Sequence, residues 1–162
     1  MLHAKVAEPS ETVESPVPPE DCHPKIGAAY AYWLRIHPPR GLPGRQHFDP
    51  TDIPGLLRHI RMLDVEGQPP RFKIRVVGTQ YAERLGHDTT GQYLDELFEG
   101  FEGSRFHRGL LDVIESKRPI WRRGPLQWFC REEYSSVERI HLPLARDGDT
   151  VDMVLTVSVY LS

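Results

Sequence analysis

The run "VDMVLTVSVYL", residues 151–161, constrains the fold of this chain more than any other stretch. Val151, Met153, Leu155, Val157, Val159 and Leu161 take every second position, against Asp152, Thr156 and Ser158. A period of two sends successive side chains to opposite faces, so the run reads as a strand with one apolar face. It follows "ARDGDTV", whose Asp-Gly pair marks a hairpin turn. Before the turn, "SSVERIHLPLA" places Ile140, Leu142 and Leu144 on one face. "PIWRRGPLQWFCRE" adds a strand with Leu126, Trp128 and Cys130 in phase.

Two more strands stand earlier. "RHIRMLDVE" and "RFKIRVVG" are joined by "GQPP". In the second, Phe72, Ile74 and Val76 alternate with Arg71, Lys73 and Arg75, which predicts one buried face and one cationic face in water. Ile26, Ala29, Tyr30, Trp33 and Leu34 form one stripe of an amphipathic helix. The helix stops at "HPPRGLPG", because proline lacks the helical N–H donor and clashes with the preceding turn. "FDPTDIPGLL" reads as a turn into a short helical piece with Asp49 and Asp52 as candidate caps. "QYAERLG" and "QYLDELF" are short helices flanking the polar turn "GHDTTG". Phe106, Leu110, Val113 and Ile114 share a face of a longer helix over 104–116, with Ser104 at its start. Strands at both ends with helices between them predict an α+β domain, one antiparallel sheet with helices packed on one face. Such a crossover leaves a cavity between sheet and helices, a natural place for a small ligand.

Residues 1–24 hold Pro9, Pro16, Pro18, Pro19 and Pro24 among Glu8, Glu11, Glu14, Glu20 and Asp21, with few large apolar residues. They read as a flexible tail that cannot offset its ordering entropy, ahead of a single domain over 25–162. The net charge is −3 and the pI about 6.2, without the basic field of a nucleic-acid-binding domain. "KRPIWRR" reads as a solvated strand edge. Weak nucleic-acid binding through Arg71, Lys73, Arg75, Arg122 and Arg123 stands as an alternative. No apolar run is long enough to cross a bilayer, and no secretory signal opens the chain. Cys22 and Cys130 make no disulfide framework, so the reading is a cytoplasmic protein with free thiols.

Few residues carry catalytic patterns. The eight histidines show no zinc spacing. There is no G-x-S-x-G elbow, and Cys130 alternates in phase with apolar neighbours as an inert thiol does. No enzyme is expected; an enzyme in the cavity is the alternative. The glycines of "GTQYAERLGHDTTG" match neither phosphate-binding spacing. There Gly86 is expected to end its helix in a left-handed conformation, and Asp88 and the threonines to bond nearby amides. The turn would thereby shape one wall of the pocket. Tyr93, Phe106, His107, Trp121 and Trp128 are the candidate ligand contacts. Ile26, Tyr30, Trp33 and Leu34 cover either the chain's own core or, in a homodimer, the matching helix of a second copy.

The stretches "YAYWLRI", "LPGRQHFDPTDIPGLLRHIRMLDVE", "RFKIRVVGTQYAERLGHDTTGQYLDELF" and "IHLPLARDGDTVDMVL" together resemble the PAS domain superfamily, and within it a group common in alphaproteobacteria. The resemblance implies a five-stranded antiparallel sheet in which the first two strands lie beside the fifth, and the fourth and third complete the order. It implies sensing, ligand binding or contact with another signalling protein, not catalysis. Some relatives ligate haem through a histidine on the long helix, where His107 stands here. Light-sensing relatives bond flavin through a cysteine in the turn that corresponds to "GHDTTG", which holds no thiol. Neither cofactor is favoured. No kinase, cyclase or DNA-binding motif follows the last strand, so any signal is expected to pass by contact with another chain.

Overall fold

In a computed structural model the protein is described over residues 12–126, 128 and 136–161. Cys130 lies outside the described residues. Helix α1 (Pro24–Arg35) starts where expected: His23 caps it, Nδ1 accepting from the Lys25 N–H at 3.1 Å, and Pro24 takes the first helical position. Its buried stripe is Ile26, Ala29, Tyr32 and Trp33, turned slightly from the expected one. Tyr32 is drawn in because its hydroxyl accepts from the Asp49 N–H (2.9 Å) and lies 3.2 Å from the Asp52 carboxylate. Leu34 is 49% exposed, and Tyr30 is half-buried against Trp33. A short turn of helix at Pro50–Asp52 follows, capped by Asp49 rather than Asp52.

The sheet comprises β1 (Val13–Ser15), β2 (Ile60–Glu66), β3 (Arg71–Val77), β4 (Ile120–Pro125), β5 (Ser136–Leu144) and β6 (Met153–Leu161), all antiparallel, in the order β1-β4-β5-β6-β2-β3. Strands β2 to β6 have the order that the resemblance implied. The sixth strand corrects the sequence reading: Val13–Ser15, placed in the tail, pairs with the β4 edge, and Glu14 meets Arg105 at 3.3 Å. Between β3 and β4 run α2 (Thr79–Leu85), α3 (Leu94–Leu97) and α4 (Arg105–Ser116), the last capped by Ser104.

Two further expectations change. Strand β3 does not alternate to its end. A bulge opposite Met62/Leu63 skips Arg75, so Val76 is exposed and Val77 turns toward the core. The flanking cations are also not a free row: Arg71 pairs with Asp95 (2.9 Å) and Arg75 with Asp64 (2.7 Å).

The larger change concerns the faces. Helices α2–α4 cover the inner face, burying Leu63, Phe72, Ile74, Leu94, Phe106 and Leu110. The outer face is covered too. Helix α1 and the turns after it bury Met62, Trp121, Ile140, Leu142, Leu155 and Val157 against Ile26 and Trp33. Ile26 and Trp33 of the α1 stripe therefore take the first of the two roles open to it, serving this chain's own core. Ile26 and Trp33 are buried, and the Trp33 indole N–H donates to the Pro143 carbonyl at 2.9 Å. The outer sheet face is likewise not open to a protein partner. Double coverage also explains why Val154, Thr156 and Ser158 are as buried as the apolar positions between them.

Gly78, between β3 and α2, sits where the backbones touch. A β-carbon there would lie 2.4 Å from the Leu57 carbonyl oxygen and 2.5 Å from that of Arg58. Gly78→Ala is expected to lower stability by about 2 kcal/mol, because two backbone segments must separate. Urea unfolding monitored by tryptophan fluorescence measures this; an unchanged midpoint contradicts the close approach.

Candidate ligand-binding site

The inner face carries polar residues in rows set by strand register. One row runs Ile120, His141, Thr156, Arg61 and Val77 across β4, β5, β6, β2 and β3. The next runs Arg122, Arg139 and Ser158, and the third Gly124, Val137 and Tyr160. Helix α2 lays Tyr81, Arg84 and Leu85 over this end of the sheet, and Phe98, Phe106, Leu126 and Trp128 close around it. Between them lies a small, partly enclosed cavity of about 30 Å³, which widens to about 490 Å³ of space only when its open mouth is counted.

Four guanidinium groups line it. Arg61 is 2% exposed and rests among the rings of Tyr81 (4.8 Å), Phe106 (5.4 Å) and Phe98 (6.0 Å). Its Nε and Nη2 have no hydrogen-bond partner among the described residues. Arg139 donates to the Ser158 hydroxyl at 2.8 Å and lies 5.0 Å from the Phe106 ring. Arg84 donates to the Trp128 carbonyl at 2.8 Å and covers the Tyr160 ring at 4.2 Å. Arg122 is half-buried and directly opposite Arg139. No carboxylate among the described residues lines the cavity.

The charges show in the titration of the site. Burial foremost draws the Arg61 guanidinium below its usual range; Tyr81 opposes the shift and Arg139 adds to it. Arg122 is drawn down to about 9, by burial first and then by Arg139. The Tyr81 phenol is pushed up to about 12 by burial and by Tyr160, with Arg61 and Arg139 pulling the other way. It is buried beside Ser158 without a well-formed hydrogen bond. His141 shares a 2.7 Å hydrogen bond with the Thr156 hydroxyl and stacks on Phe106 at 5.7 Å. Burial, then Arg139, Arg122 and Arg61, hold it well below 6.5.

A histidine kept neutral in the fold makes stability depend on pH. The unfolded chain takes up the proton first as pH falls, so the contribution is complete above about pH 6.5 and declines below it. His59 is lowered by burial too and acts in the same direction. Stability is expected to fall by up to about 1.4 kcal/mol per pH unit for His141 between about pH 6.5 and 5.5. His141→Asn should flatten that slope. Urea titrations at both pH values check it; an equal slope in the variant removes His141 as its source.

The structure brings together only part of the expected contact set. Phe106 and Trp128 line the cavity. Trp121 lies on the opposite sheet face, its indole N–H donating to Glu138 at 3.1 Å. Tyr93 starts α3 at the surface, under Arg71 (3.7 Å) and bonded to Glu66 (3.1 Å). His107 packs on Phe101 (4.9 Å) and Phe72 (6.3 Å), with Nδ1 accepting the Gly103 N–H at 2.9 Å. The turn after α2 is built as expected, with Gly86 left-handed and Asp88 accepting from the Thr90 N–H (2.9 Å) and hydroxyl (2.7 Å). It does not line the cavity; α2 before it does. His107 is thus no iron ligand for this cavity, and no cysteine faces it among the described residues, so the residues present fit neither haem nor a bonded flavin.

Arg61, Tyr81, Arg84, Arg139 and Tyr160 escaped the sequence reading, and Arg122 entered it only on the solvated strand edge and as a nucleic-acid contact. Arg139 stands out of phase with Ile140 and Leu142, and Arg61 out of phase with Ile60 and Met62. Such positions face water only if one side of the sheet is bare. The signal against that was present: Val154 and Tyr160 put apolar groups on the second face of the last strand.

An antiparallel sheet whose middle helices cup a cavity against its inner face defines an α+β domain of the PAS-like class. The chain belongs to the PAS domain family, whose sequence model matches residues 22–158. No curated protein and no solved structure matches the chain. PAS domains are sensory and signalling modules, and the chain is one in that general sense. Among the described residues no helix is long and apolar enough to cross a membrane, and no three His, Cys, Asp or Glu side chains gather in a group that could hold a metal ion.

Proposed function

We propose that this PAS domain is a cytoplasmic binding module that senses a small molecule in the cavity between sheet and helices. It passes the occupied state by contact to another signalling protein. The observation that carries this reading is the cavity wall: a fully buried guanidinium with unused donors, beside a buried phenol and aromatic faces. A domain that used this space for packing alone would fill it with apolar side chains. The module acts as a binder rather than an enzyme, because arginines and a neutral phenol supply binding contacts and no general base.

The chain offers a short route outward. Arg122 faces the cavity while the next residue, Arg123, bonds Glu138 and the Asp21 carbonyl just ahead of α1. On β5, Arg139 faces inward and Glu138 outward. Occupancy that moves β4 or β5 therefore reaches the start of α1 directly. Native mass spectrometry of gently purified protein tests the reading: a bound small molecule, lost on denaturation, is expected. Hydrogen exchange in Pro24–Arg35 should then differ between loaded and stripped protein. Identical exchange would leave binding without transmission.

A further inference from the structure

The cavity has the electrostatics of a site for an anion. Arg122 and Arg139 are direct cross-strand neighbours, a like-charge pair in which Glu14 on β1 offsets Arg122 from its other side and no carboxylate among the cavity-lining residues faces Arg139. Arg61 and Arg139 both lie about 5 Å from the Phe106 ring, and both line the same cavity. The described residues answer Arg61 and Arg139 with ring faces and one hydroxyl only, whereas Arg122 has Glu14 opposite it on β1. A buried guanidinium without an anionic partner is costly, and two Arg61 donors remain unused. A planar guanidinium fork matches the paired oxygens of a carboxylate or phosphate.

The geometry points to a small oxyanion, a carboxylate or a phosphate, as the ligand, gripped by Arg61, Arg122 and Arg139 with its apolar part against Phe98 and Trp128. This rests on the reading that the cavity binds a small molecule. The Tyr81 hydroxyl, a neutral donor at this pH range, adds a contact to the same anion. His141 contributes no positive charge of its own, since burial first and then the arginines hold it neutral.

The test is calorimetric titration and thermal unfolding of the full chain with five probes. Inorganic phosphate, succinate and benzoate are the anions, benzamide is the neutral counterpart of benzoate, and benzylamine is the cation. At least one anion is expected to bind and raise the melting temperature, with benzamide and benzylamine inert. The phosphate and carboxylate arms separate the two sources of oxyanion. Arg61→Met should weaken the bound anion about tenfold or more. It should also raise the melting temperature of ligand-free protein, because it removes an uncompensated buried charge. Arg122→Met, nearer the mouth, serves if Arg61→Met does not fold, with the same expected loss of affinity. Benzamide or benzylamine binding as well as benzoate overturns the anion and leaves the ligand cavity standing. Anion binding unchanged in both variants overturns this site. Binding by none of the five, with Arg61→Met destabilising the free protein, overturns both and makes the cluster structural.

Discussion

Trp33→Ala lowers the unfolding free energy by about 4 kcal/mol, the scale for deleting a buried tryptophan. The side chain is 5% exposed, stacks on Tyr30 and meets His37 edge-on at 4.4 Å. It spans the outer core toward Pro143, whose carbonyl loses the indole N–H as a donor when Trp33 goes. In a domain of this size that is a fall of roughly 8–16 °C in melting temperature. Calorimetry with light scattering measures both quantities that matter. The expected result is a less stable protein of unchanged molar mass, because Trp33 faces its own sheet. A wild-type dimer that becomes monomeric in the variant would instead return the helix to the role of an interface.

Glu138→Ala costs about 3 kcal/mol, because it strands donors rather than merely losing contacts. The Glu138 carboxylate is 2% exposed and accepts from the Trp121 indole (3.1 Å), Arg123 Nε (3.1 Å) and the His23 N–H (2.7 Å). It thereby joins β4, β5 and the start of α1 at one point. Arg123 is about a third exposed, so water recovers part of its loss, while the indole has no such recourse. Glu138→Gln keeps an acceptor oxygen and should lose about half as much. Urea unfolding of both variants decides it: equal losses would mean that charge, not hydrogen-bond acceptance, holds the junction.

Much of this architecture was readable in local pattern. Period-two runs identify strands because side chains alternate on any pleated chain, whatever lies above them. The Asp147-Gly148 turn and the caps at Ser104 and Gly86 are equally local, since each satisfies backbone groups within a few residues. The bulge at Arg75 was hidden, because nothing in "KIRVV" marks which residue the partner strand will skip. The strand at Val13–Ser15 was hidden too. A three-residue edge strand among prolines gains its stability from the β4 edge it meets, not from its own composition.

The site was the least legible part, for a related reason. Phe106 and Trp128 were found because aromatic residues at core phase face inward in any packing. Arg122 was read, with "KRPIWRR", as part of a solvated strand edge, and Arg61 and Arg139 drew no reading at all, because a charged residue out of phase with a hydrophobic stripe ordinarily faces water. Alternation determines that Arg139 and Ile140 face opposite ways; it is silent on which side is wet. That was decided by α1, which folds back onto the outer face and seals it. With both faces covered, the arginines opposite Ile140 and Met62 have nowhere to point but between sheet and helices. Strands, turns and helix stripes follow from forces between near neighbours in the chain, whereas the burial of a charge follows from which distant segment packs over it.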